Sequence, residues 1–119
     1  MKVEKFSIGT GDRFSHQGEA QLKTIVKVNN KGINISPVWN KSNSEHIYVN
    51  SKPEDVRKEV DSAVKNLNFT GKYFVDTDHI NLNTVEPFVA TADFFTLDVA
   101  SFIGKESSVE EVNNFLSSC

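Results

Sequence analysis

The run Asp76-Thr77-Asp78-His79 places two carboxylates and an imidazole within four consecutive positions. In an extended strand alternate side chains share a face, so Asp76 and Asp78 point to one side while His79 opens the loop that follows. Such a cluster suits a divalent metal beside a general base. The metal draws electron density from a carbonyl or hydroxyl oxygen of a sugar, and the neighbouring C–H becomes acidic enough for a carboxylate to take its proton. One histidine does not close a metal site, and no local pattern such as H-E-x-x-H occurs. The remaining ligands must therefore come from other strands, where His16, His46 and the acids near them are the candidates. The competing reading is structural: Asp78 or Asn81 caps the next helix and His79 is solvated.

Other polar groups gather in comparable places: Gly9-Thr10-Gly11-Asp12-Arg13-Phe14-Ser15-His16, then Asn40-Lys41-Ser42-Asn43-Ser44-Glu45-His46, then Asp98, with all three histidines of the chain among these loops. Gly9-Thr10-Gly11 lacks the third glycine of a dinucleotide fingerprint, and no acid ends a second strand at the expected distance, so the glycines permit a tight turn. Asp12 and Arg13 either pair with each other or leave Arg13 as a bidentate fork for a substrate carboxylate. Lys41 either binds an anion or is a solvated loop lysine. Trp39 is either core or a platform for a sugar ring.

The elements that must position these loops are read from apolar periodicity. Short β-branched and aromatic runs mark strands at Val3 to Ile8, Ile33 to Trp39, Tyr73 to Val75 and Phe94 to Leu97. A first helix spans roughly Ser15 to Asn30 and stops at Gly32. A second carries the stripe Val56, Val60, Ala63, Val64 and Leu67, with Ser51 and Glu54 as a capping box around Pro53. Pro87 limits a third to a short piece from Asn83. A fourth carries Val109, Val112, Phe115 and Leu116 behind a Ser107–Glu110 box. The predicted fold is one α/β domain over residues 1–119. It has four consecutive βα units with parallel strands, resembling half of a (βα)8 TIM-type barrel, since a closed barrel takes about 250 residues. In such sheets the chemistry sits at the C-terminal ends of the strands, where the polar loops fall.

Composition narrows the partners. With 119 residues, 38% of them hydrophobic, and a net charge of −3 spread along the chain, nothing marks a nucleic-acid or membrane footprint. No apolar run is long enough for a signal peptide or a membrane span. The single cysteine, Cys119, permits no intrachain disulfide, which suits a reducing cytoplasm.

At these same residues the sequence resembles the bacterial tagaturonate epimerase family, hexuronate enzymes that interconvert tagaturonate and fructuronate. The stretches that carry the resemblance are Ile8 to Phe14 with His16-Gln17, Ser36 to Asn43 with Glu45-His46, Tyr73 to Leu82, and Asp93 to Val99. It implies a metal-dependent sugar-acid epimerase with a barrel-like fold and a divalent cation of unspecified identity. Asp78 would be the acid/base carboxylate and His79 the first metal ligand, with further histidines and a second acid/base group lying beyond this region. Asp12, Arg13, His16, Lys41, Asn43, His46 and Asn81 make up the expected substrate-binding set. On this reading the chain is the N-terminal half of a larger barrel, has little activity alone, and pairs with a complementary half or with itself. The alternative is a non-catalytic remnant or binding module for small anionic sugars.

Overall fold

A computed structural model describes residues 2–119. Strands β1 (Ser7–Gly11), β2 (Ser36–Asn40), β3 (Phe74–Ile80) and β4 (Phe94–Leu97) form one parallel sheet in sequential order. The intervening segments hold helices α1 (Gly18–Asn29), α2 (Asn43–Tyr48) and α3 (Pro53–Asn66) and a single 3₁₀ turn at Glu86–Phe88; α4 (Val109–Ser118) follows β4. Four parallel strands with alternating helices is the expected α/β class.

One face of the sheet is covered by α1 and α3. Leu22 and Ile25 from α1 meet Val56, Val60 and Ala63 from α3 over Trp39 and Val75. Leu22 and Val60 are fully buried, as an apolar stripe facing a sheet requires. Trp39 lies in this core with its ring edge-on to Tyr73, so it is core and not a sugar platform. The other face is concave and carries the alternate residues. The strand register there sets Gly11 beside Asn40, Asn40 beside Asp76, and Asp76 beside Phe94.

Several element boundaries differ from expectation for identifiable reasons. β1 begins at Ser7 and runs through both glycines. β3 continues past Val75 to Ile80, because Asp76 and Thr77 keep their pairing with β4. His79 therefore belongs to β3 and does not begin a loop. It takes a left-handed φ of 55° where the register slips between Thr77 and Ile80. The loop after β2 contains the unanticipated helix α2, capped by a reciprocal Ser42–Glu45 box. The Ser51–Glu54 box does not form: the Lys52 N–H donates to the Asp55 carboxylate at 2.7 Å, while the Ser51 hydroxyl is engaged elsewhere. The last box slips by one, to Ser108 and Glu111. In the third unit Asn81 anchors a turn, its Oδ1 accepting from the Asn83 N–H at 2.9 Å, and no α-helix follows.

No residue of α4 is buried, and its stripe Val109, Val112, Phe115 and Leu116 is exposed. Among the described residues no helix is long and apolar enough to cross a membrane.

Candidate functional site

Asp76 and Asp78 occupy the concave face at the C-terminal end of β3. Asp76 is 5% exposed; its Oδ2 accepts from the Thr96 hydroxyl of β4 at 2.7 Å, and its Oδ1 has no partner. Burial pushes its carboxyl above the ordinary range, and the nearby charge of Asp78 pushes the same way. Asp78 is half-buried with Oδ1 likewise unpartnered, and burial raises its carboxyl too. His79 stands beside it, Nε2 lying 3.8 Å from Asp78 Oδ2, with its side chain largely in solvent. Of the three groups, Asp78 and His79 are neighbours in space, and Asp76 feels the charge of Asp78. Thr96 and Asn40 complete the polar floor, and neither was singled out from sequence. The signal for Thr96 was a hydroxyl interrupting Phe94-Phe95-Thr96-Leu97, in phase with the concave side.

On β1, Gly9 and Gly11 bring no side chains to this face. The amide of Asn40 lies over them, its Oδ1 3.4 Å from where a Cβ at Gly11 would stand. These glycines thus let the Asn40 amide lie close, which is a packing role beyond the tight turn.

The remaining sequence candidates have structural employment. The Asp12 carboxylate accepts from the backbone N–H groups of Phe14, His16 and Gln17, at 3.2 Å, 2.6 Å and 2.5 Å, and so closes the turn into α1. Arg13 does not pair with Asp12. It reaches Glu45 at 3.4 Å, with its guanidinium 5.5 Å from the Tyr48 ring centre. Burial draws the Glu45 carboxyl upward, but hydrogen bonds from Ser42 and the pair with Arg13 outweigh it and hold it below the ordinary value.

Lys41 was expected in solvent or on an anion and is 2% exposed. Following Trp39 in the strand alternation, it turns to the helix-bearing side and donates to Ser51 Oγ at 2.9 Å and Ser15 Oγ at 3.3 Å. Ser51 Oγ also lies 2.9 Å from His46 Nδ1, and the His46 ring packs on Phe88. Burial lowers both the Lys41 amine and the His46 imidazole, and the charge of Lys41 lowers His46 further. Lys41 and His46 thus tie loops together behind the sheet and do not face the Asp78 side. Asn43 begins α2, half-buried, and His16 and Asn81 are exposed at the rim.

Among the described residues, no three His, Cys, Asp or Glu side chains form a group that could hold a metal ion. Neither His16 nor His46 joins Asp78 and His79, so the side chains of this chain do not by themselves make a metal centre.

No protein-family model matches the chain, and no curated protein matches it. Among solved structures, it superposes on the fructuronate-tagaturonate epimerase UxaE from Cohnella laeviribosi, in complex with two glycerol molecules, with a TM-score of 0.72 and 22% identity. The two share a fold. The match covers 96% of this chain and 24% of that one, so the chain spans about a quarter of the length of the epimerase it resembles. At this level of identity the likeness shows the fold alone.

Proposed function

We propose that this chain carries the β3-end part of a hexuronate epimerase site of the tagaturonate/fructuronate type, with little turnover alone. The observation that carries the reading is Asp78. It is a half-buried carboxylate with one oxygen free of partners, at the C-terminal end of a parallel strand, in a fold shared with such an epimerase. Its elevated affinity for protons suits a group that takes a proton from a carbon beside a carbonyl and returns it, because a base works best when its pKa approaches the operating pH. A divalent cation belongs to this reading as cofactor, with His79 as its ligand from this chain and the other ligands from residues outside it. The loop residues His16, Asn43 and Asn81 at the rim are the remaining candidates for sugar contacts.

Titration calorimetry with tagaturonate and manganese, nickel or zinc tests the reading. The parent chain should bind metal weakly, and Asp78→Asn with His79→Ala should abolish that heat. Equal heats from parent and variant would overturn it. Robust epimerisation by the isolated chain would refute the expected lack of turnover. A second reading, a binding module for small anionic sugars, draws support from the incomplete ligand set. It predicts sugar-acid binding that needs no metal.

A further inference from the structure

The two aspartates of Asp76-Thr77-Asp78-His79 are not equivalent. Asp76 is the more buried of the two, and among the described residues no ion pair reaches it. Asn40 flanks it from β2, Phe94 and Thr96 from β4, and Phe74 from its own strand; the charge that acts on it is that of Asp78, beside which stands His79. On β1 this face presents Ser7 and two glycines. Lys41 and Arg57 work on the other side of the sheet, Lys41 on its two serines and Arg57 on the Asp93 carboxylate at 2.8 Å. His79 and Glu45 act on Asp78.

A carboxylate so placed, supported by Thr96 through its hydroxyl and backbone but with Oδ1 unpartnered and no cation paired with it, would bury a charge with little compensation, which is strongly unfavourable. A carboxylic acid in the same place needs only one acceptor for its proton. Thr96 Oγ1, 2.7 Å from Oδ2, supplies that acceptor once its own proton is turned away. We propose that Asp76 stands in the concave face as a neutral carboxylic acid, so that the end of β3 presents one negative charge, on Asp78, and keeps a proton in reserve beside it. The link between that reserve and proton transfer rests on the epimerase reading; the protonation itself does not.

Carboxyl ¹³C chemical shifts of the labelled 119-residue chain, followed from acid to alkaline pH without any ligand, give the direct test. Asp76 should hold its proton well above the ordinary carboxylate range and lose it last among the aspartates. The second measurement is the melting temperature of Asp76→Asn against the parent. An acid whose folded pKa is raised stabilises the fold below its unfolded value of about 3.9 and loses that contribution as pH rises through the folded value. The amide has no such loss, so the variant should gain on the parent as pH rises to neutrality. An Asp76 resonance that titrates in or below the ordinary range, or a variant that loses ground as pH rises, would overturn the proposal. Should the variant fail to fold, the parent's resonance still decides. The epimerase reading fails or stands separately, on the calorimetry above.

Discussion

At the scale of single residues, several groups that look chemical in the sequence are occupied in holding loops. Asp12 accepts three backbone N–H groups in the turn before α1, so Asp12→Ala should cost about 1–3 kcal/mol, the scale of hydrogen bonds to a charged group, read by chemical denaturation. His46 gives a pH signature. Its folded pKa lies below the unfolded value, so the unfolded chain binds the extra proton first, and stability falls as pH drops through that window. Replacing it with Gln should flatten the acid side of the melting-temperature profile between neutrality and mildly acid pH. An unchanged profile would mean that the imidazole titrates alike in both states. What the sequence showed at this scale was the nearness of Asp78 and His79, because the two are adjacent in the chain. The roles of Lys41, Ser51 and His46 were not legible, since they depend on a loop folding into α2 and bringing Ser51 under the lysine.

At the scale of elements, periodicity was a good guide wherever a stripe meets the sheet. The stripe of α3 was readable because Val56, Val60 and Ala63 pack directly on Trp39 and Val75. Leu22→Ala, at a fully buried position in α1, should destabilise the chain by about 3 kcal/mol in denaturant unfolding. The boundaries were less legible. Polar residues in β3 read as loop, yet their backbone groups pair with β4 and the strand goes on. The Ser107–Glu110 box had a second serine and a second glutamate one position on, at Ser108 and Glu111, and local sequence does not choose between them; the Ser51–Glu54 box gave way to Lys52 and Asp55. The stripe of α4 behaves differently, because no residue of that helix is buried. Phe115→Ser should therefore leave the melting temperature of the chain unchanged within error, in contrast to Leu22→Ala.

At the scale of the molecule, the radius of gyration is 17.4 Å, against about 13–14 Å for a compact chain of this length. No residue of α4 is buried, and both β1 and β4 are edges of the sheet. Ile8 on β1 and Leu97 on β4 are exposed, as are Phe102 and Ile103 beyond. Open parallel edges lined by apolar side chains invite pairing. Self-association is therefore expected to rise with concentration in sedimentation velocity runs, and a single monomeric species throughout would contradict it. A sequentially ordered parallel sheet was legible from strand and helix alternation; the exposed stripe of α4 was not, because an amphipathic stripe says that a helix has a partner without saying where.

The left-handed backbone at His79 has one more consequence. The irregularity there changes the phase of the pleat: Ile80, which strict alternation would place with Asp76 and Asp78, instead joins Phe95 and Leu97 on the opposite side. Asp78 is thereby left as the last side chain of β3 on the concave surface. Shape and chemistry at this position are carried by different atoms, the main chain and the ring. A glycine at 79 accepts positive φ without strain, so His79→Gly removes the imidazole while leaving the path of the strand intact, whereas His79→Val would disturb the path as well.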